Sequence, residues 1–200
     1  NGKVVTNLAT KVSNSDEVHI GKKSIREDKN KISTVIVYNK PKGEIVSKKD
    51  PQGRKTIYDS LDHKYKHFLS VGRLDYASEG LLLLSDSVEI VDALMHSDLE
   101  RVYKIKVNGV ITKPVEQAMQ NGLEIEDATG GAFKTTKIKS MSFAPFLAYD
   151  ILTNSEKFSK IKVVISEGKN RELRRFFAHF GLDVLDLKRL EYGGISLNNL

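Results

Sequence analysis

Residues 72–84 read Gly72-Arg73-Leu74-Asp75-Tyr76-Ala77-Ser78-Glu79-Gly80-Leu81-Leu82-Leu83-Leu84. The leucine run from Leu81 to Leu84 is too short for a helix core and predicts a fully buried strand. Phe68 to Val71, just before, predicts another strand. Between them lies a loop bounded by Gly72 and Gly80, with Asp75 beside Arg73 near its middle. Glycines let backbone approach a ligand closely, and loops carried on a rigid sheet often hold function. An isolated loop aspartate is more commonly a turn residue or a helix cap. The residues of this stretch leave both readings open.

Working outward, Thr34 to Tyr38 is β-branched and apolar and predicts a buried strand, stopped by Pro41 and Gly43. Thr56 to Leu61 predicts a short helix. Asp86 with Glu89 three residues on resembles a capping box ahead of a helix carrying Val88, Val91, Leu94 and Met95. From Arg101 to Val107, Val102, Lys104 and Lys106 face one way while Tyr103, Ile105 and Val107 face the other, a half-buried strand. Lys113-Pro114 opens a helix that ends near Asn121-Gly122. Further strands are predicted at Lys134 to Ile138, Ala148 to Leu152, Lys160 to Ile165 and Leu182 to Leu190. One more helix carries Leu173, Phe176, Phe177 and Phe180 on its apolar face and ends at Gly181. Many strands and few scattered helices predict an α+β fold with a mixed, largely antiparallel sheet.

The chain of 200 residues is long enough for one core plus a small appendage, and its net charge of +6 with pI near 9.3 favours a polyanionic partner. There is no cysteine, so disulfides and thiolate metal sites are excluded. No apolar run reaches the length of a membrane span and no stretch has the composition of a signal peptide. A cytoplasmic location is expected. Residues 1–25 hold too few apolar side chains for a core of their own, with brief strand-like pieces at Val4-Val5 and Val18-His19-Ile20. They read as the closing part of a small domain, 26–32 as a charged linker, and 33–200 as the main domain.

Arg171, Arg174, Arg175 and Ala178 form a second stripe beside the aromatic one on the last helix. Such a stripe is commonly a solvated face, which suffices for Arg171 and Arg175. Arg174, nearer Leu173 and Phe177, is expected to be partly buried and then needs an anion. Tyr103, on the apolar face of its strand, reads as a core tyrosine with its hydroxyl satisfied. Lys40 and Lys42 flank Pro41 in a turn and are either solvated or available to RNA phosphates. The histidines show no metal-ligand spacing, and no phosphate-binding or dinucleotide fingerprint is present.

The order and spacing of these segments resemble the RsuA-type bacterial pseudouridine synthases, which modify ribosomal RNA, over nearly the whole chain. Tyr38 to Gly43 is similar to that family's first motif and Gly72 to Leu84 to its second, which bears the catalytic aspartate. Arg101 to Val107 is similar to the strand with the active-site tyrosine. Glu167 to Phe176 resembles the third motif, which supplies an arginine that pairs with the aspartate, and Leu187-Lys188-Arg189 with Gly193-Gly194 the closing strand. The amino end looks like the last part of an S4-type RNA-binding domain. Ser78 stands where threonine is usual, and Glu172 where glutamine is usual.

The resemblance implies the pseudouridine synthase fold and isomerisation of a uridine in ribosomal RNA, more in keeping with the large subunit. The C1′–N1 bond breaks, the base turns, and a C1′–C5 bond forms, so no cofactor or metal is expected. Asp75 is implied as the catalytic carboxylate, with Arg174 pairing to it and Tyr103 stacking on the target base. Arg73 is implied to fill the gap left by that base, and Lys40, Lys42, Lys169, Arg171, Arg175 and Arg189 to contact phosphate. A monomer is expected. Two other readings remain: an RNA-binding or ribosome-assembly factor without catalysis, and a hydrolytic RNA glycosidase, which would want a second carboxylate to activate water.

Overall fold

The computed structural model describes residues 2–7, 9–13, 15–25 and 32–199. The chain divides into two compact units, Asn1–Ser33 and Thr34–Leu200. In the first, β1 (Val18–Ile20) and β2 (Lys23–Ile25) form an antiparallel hairpin with Val18 opposite Ile25. Val4 and Val5, expected as a strand piece, carry no strand structure and are exposed. An apolar pair gains little from extension where no sheet covers it. The expected linker at 26–32 falls outside the described residues except for Ile32.

The second unit is built on an eight-stranded sheet. Its strands are β3 (Val35–Lys40), β4 (Leu69–Ser70), β5 (Glu79–Ser85), β6 (Arg101–Asn108), β9 (Ala148–Thr153), β10 (Phe158–Ile165), β11 (Val184–Tyr192) and β12 (Ile195–Ser196). The order along the sheet is β3-β5-β11-β6-β10-β9, with β12 paired to β11 and β4 to β5. Every pairing is antiparallel except β5 with β11. A small separate ladder joins β7 (Leu123–Ile125) to β8 (Met141–Phe143). The mixed, largely antiparallel sheet matches the expectation from sequence.

The leucine run of β5 is continuous because both faces of this strand are covered. Leu82 and Leu84 enter the main core, while Leu81 and Leu83 enter a smaller cluster with Val71, Val91 and Tyr192 on the opposite face. Successive side chains alternate faces, so one strand feeds two cores. The main core takes its helical layer from α1 (Ile57–Ser60), α3 (Lys113–Asn121) and α4 (Glu172–His179); α2 (Val88–Met95) supplies Val91 to the other side. In α3, Val115, Ala118 and Met119 are buried at helical spacing, Pro114 sits in the first turn, and Gly122 caps the end at φ 80°. In α4, the Phe176 ring lies 4.8 Å from Phe146, 5.3 Å from Phe177 and 5.5 Å from Phe143, centroid to centroid. Each such buried phenylalanine contributes about 1.5–3 kcal/mol relative to exposure.

Three expectations are corrected. No strand forms at 134–138; the ladder lies at β8 instead, where Met141 and Phe143 both bury and so give the pairing an apolar face. The segment from Thr34 is not a buried strand but the sheet's edge: Val35 is exposed and Ile36 to Tyr38 are half-buried. Asp86 is not the cap of α2. Its carboxylate accepts the Thr34 N–H at 2.8 Å, tying down the start of β3, and Ser87 caps the helix by accepting from the Ile90 N–H at 3.2 Å. Among the described residues, no helix is long and apolar enough to cross a membrane.

The parallel pair is short, with Glu79 opposite Lys188 and Gly80 opposite Arg189. Gly80 has φ +107°, and a Cβ there would lie 2.1 Å from the Arg189 carbonyl oxygen. Gly80→Ala therefore meets both a strained backbone and a clash with main chain. The expected loss is about 3 kcal/mol or more, read as a lower urea midpoint at unchanged slope. A midpoint equal to wild type would mean that the strand pair tolerates separation here.

Candidate active site

The loop that carries Asp75 is held from beneath. Leu74 packs into the main core, and the Ser78 N–H closes a turn onto the Asp75 carbonyl at 3.0 Å. The Lys40 ammonium donates to the carbonyl oxygens of Pro41 (3.0 Å), Asp75 (3.1 Å) and Ser78 (2.7 Å). The Gly43 N–H donates to the Tyr76 carbonyl at 2.8 Å. Burial pulls the Lys40 pKa down, while Glu44, Asp75 and Glu79 act in the opposite sense. The expectation that Lys40 meets phosphate is therefore corrected: the side chain is fully buried and its donors are directed at main-chain oxygens. The turn at 38–43 is a scaffold for the aspartate loop.

From the other side, α4 brings arginines to Asp75. Arg171 Nη1 lies 2.6 Å from Asp75 Oδ2, and Arg174 Nε lies 3.4 Å from the same oxygen. Arg171, expected among the phosphate contacts, thus makes the shorter ion pair with Asp75. Its Nε also donates to the Gly131 carbonyl at 2.6 Å. Arg171 has φ 51°, the one positive φ outside glycine among the described residues. A non-glycine residue in this region costs about 1–3 kcal/mol, and such strain gathers at functional sites. Arg174 also donates to the Val184 carbonyl at 3.0 Å and to Ser78 Oγ at 3.2 Å. Burial and the neighbouring Arg171 lower its pKa, with the Asp75 carboxylate opposing them.

Arg175 is the clearest correction. It is buried and donates to the Asn170 carbonyl and side chain, to Thr136 Oγ1, and to the Ala128 carbonyl. It binds the 126–140 loop to α4 and is not free for phosphate. Sequence spacing places it on a basic stripe, but that side of the helix is covered by the loop. Lys42 is exposed and pairs with Asp186, which leaves it at the surface where phosphate can compete. Lys169 is exposed and bridges the Ser142 carbonyl (2.7 Å) and Glu167 (2.8 Å).

A cavity of about 200 Å³ opens where these parts meet. Asp75, Tyr103, Arg73, Arg171, Arg174 and Arg189 all line it. Arg73 is exposed, whereas Tyr103 is buried at the end of its strand's apolar face. Arg189 donates to the Leu81 carbonyl at 2.7 Å. Among the described residues, two buried side-chain nitrogens make no hydrogen bond: Arg174 Nε, which still faces Asp75 Oδ2 at 3.4 Å as an ion pair, and Arg189 Nη2. An orphaned buried donor costs roughly 1–3 kcal/mol. Arg189 belongs to the cavity wall, where an anionic or carbonyl oxygen would satisfy its Nη2.

Three further wall residues carry no site role in the reading of the sequence. Arg101 donates to the Tyr192 hydroxyl at 3.0 Å, and Tyr192 donates onward to the Leu94 carbonyl at 2.6 Å. Their meeting depends on the β6–β11 register, in which Arg101 opposes Tyr192. The third is Glu172, buried in the same wall. Burial pushes its carboxyl up to about 7; Glu167 adds to the rise, while the Lys169 N–H and ammonium oppose it. Burial would raise Glu167 too, but the Lys169 bond and charge, the Ala144 N–H and Glu172 hold it below the usual range. Between about pH 4.5 and 7 one carboxyl of the pair therefore keeps its proton while the other is ionised.

Because the folded Glu172 binds its proton more tightly than the unfolded chain does, its contribution is complete below about pH 4.5 and declines as pH rises to about 7. The decline is on the order of 3 kcal/mol. Glu172→Gln should flatten this part of the stability–pH curve, measured by urea unfolding across that range. Identical slopes for wild type and variant would place the titration elsewhere.

The model of the family described as RNA pseudouridylate synthase matches residues 34–179. An uncharacterised RNA pseudouridine synthase of Helicobacter pylori strain 26695 is 58% identical over 193 residues, covering 96% of this chain and 74% of the relative. Ribosomal large subunit pseudouridine synthase B of Bacillus subtilis is 34% identical, covering 100% of this chain and 77% of the relative. A crystal structure of a pseudouridylate synthase superposes with TM-score 0.66 at 24% identity, over 98% of this chain and 77% of that one. Its likeness speaks for the fold, while the sequence matches carry the assignment: this chain belongs to the RNA pseudouridylate synthase family, in its RsuA-type branch.

Proposed function

We propose that this protein isomerises a uridine of ribosomal RNA to pseudouridine, in the large subunit, with Asp75 as the catalytic carboxylate. One observation carries the reading: Asp75 lies in the wall of a cavity beside Tyr103, its carboxylate gripped by Arg171 at 2.6 Å and Arg174 at 3.4 Å. The Bacillus subtilis relative, named for the large ribosomal subunit, supports the substrate class.

Breaking the C1′–N1 bond builds positive charge on the ribose, and a carboxylate beside the anomeric carbon stabilises it. The two guanidiniums keep Asp75 ionised and oriented through charge-assisted contacts. Tyr103 offers a ring against which the uracil stacks as it turns. The uridine has to leave its helix or loop stack to enter, so the cavity accepts a flipped nucleotide. The free Nη2 donor of Arg189 suits a uracil carbonyl or a phosphate oxygen. Arg73, exposed at the cavity, fills the space left by the displaced base. Lys42 and Lys169 remain the exposed candidates for phosphate, and residues 1–25 are read as the closing part of an S4-type RNA-binding module. Atoms are conserved in the reaction, so no cofactor enters it.

Ribosomal RNA fragments treated with the protein should gain pseudouridine at one position, detected by pseudouridine-specific chemical mapping. Asp75→Asn should lower the rate by at least about a thousandfold. Free uracil released from the RNA would instead mark a hydrolytic glycosidase, with Glu172 as the second acid of the cavity. RNA binding without any altered base, in wild type and variant alike, would mark a non-catalytic binding factor.

RNA affinity should fall steeply with salt, because phosphate contacts release counterions. Lys169→Ala should reduce the slope of log affinity against log salt by about 0.7–0.9. An affinity unchanged between low and high salt would remove the electrostatic part of the proposal.

A further inference from the structure

The 126–140 loop is tied to α4 over much of its length. Arg171 Nε donates to the Gly131 carbonyl, and Arg175 donates to the Ala128 carbonyl and to Thr136 Oγ1. Gly131 adopts φ +67° and presses so closely that a Cβ there would lie 2.3 Å from the Arg174 carbonyl oxygen. The loop's main chain is thus seated on the turn that delivers both arginines to Asp75. At its tip stands Phe133, 58% exposed. The Arg171 guanidinium carbon lies 4.4 Å from the centre of its ring. Exposed lysines follow at 134, 137 and 139.

Packing does not account for an aromatic ring in that position. It is left in solvent beside a cavity, on a loop whose main chain is fixed, with cations around it. A nucleic-acid strand recognises this combination: lysines draw the backbone, and an aromatic face accepts a base from a single-stranded segment. Arg171 already stacks on the ring, so a base added to the ring would extend the stack from Asp75's own ion-pair partner outward. When the target uridine leaves its stack, a neighbouring nucleotide loses a stacking partner, and Phe133 offers a replacement.

We propose that Phe133 is an RNA-binding residue, the platform on which a base flanking the target uridine stacks. This rests on the isomerase reading for the identity of the RNA, but the stacking can be observed without turnover. The chain has no tryptophan, so Phe133→Trp provides a single indole reporter in the full chain. Its emission should be quenched, saturably, as a ribosomal RNA fragment is added, in parallel with the anisotropy of the labelled fragment. In turnover assays Phe133→Ala should raise KM by about 5- to 150-fold, the range expected for one lost base–aromatic stack. The kcat should stay close to wild type, Phe133→Tyr should restore KM, and Phe133→Leu should not. An unquenched indole on a protein that has bound its RNA would overturn the proposal. So would a Phe133→Ala variant whose kcat falls at unchanged KM, since the ring would then only hold Arg171 in place. Quenching by RNA on which wild type forms no pseudouridine would uphold the stacking and reject the isomerase reading.

Discussion

The close approach of Gly80 to Arg189 is the constraint on which the rest of the second unit hangs. Strands β3, β4 and β5 form one part of the sheet, and β12, β11, β6, β10 and β9 form the other. They are joined through a parallel pair with two matched positions. Parallel pairing over so short a length is weak in itself, and a side chain at Gly80 would push the Arg189 backbone away. The loop bearing Asp75 leads into β5, and the helix bearing Arg171 and Arg174 leads into β11. The junction of the sheet is therefore also what brings the carboxylate to its arginines.

The site is arranged around largely buried charge. A buried ammonium fixes the main chain of the aspartate loop, two guanidiniums meet at one carboxylate oxygen, and Arg189 Nη2 remains unsatisfied. A half-satisfied network of this kind is unfavourable for stability. It is favourable for binding a ligand that carries the missing oxygen, because its desolvation has already been met in the folded protein. The left-handed backbone at Arg171 belongs to the same pattern: local strain in the residue whose side chain reaches Asp75.

Much of the second unit was legible in the residues. The period-2 pattern of Arg101 to Val107 and the 3.6-residue pattern of the α4 aromatics each state which face is apolar, and the structure buries those faces. The resemblance drew attention to Asp75, Tyr103 and Arg174, and all three line one cavity. The lysines and arginines were much less legible. Lys40, Arg171 and Arg175 look alike as exposed cations in a basic chain, yet one anchors a loop, one grips Asp75 and one is buried under a second loop. A cation's role depends on which oxygen lies opposite it, and that oxygen comes from residues dozens of positions away.

The amino-acid sequence by itself determined the secondary structure of the strongly periodic segments, the mixed and largely antiparallel class of the sheet, and the glycine-bounded loop that carries Asp75. These follow from local sterics and from the alternation of apolar side chains, which need no partner to be read. Only the tertiary structure decided that β3 is an edge, that β5 feeds two cores, that Arg171 lies nearer Asp75 than Arg174 does, and that Glu172 is pushed toward a neutral carboxyl. Each of those depends on long-range contact and burial, because the energy of a charge or an apolar face is set by what the fold places against it.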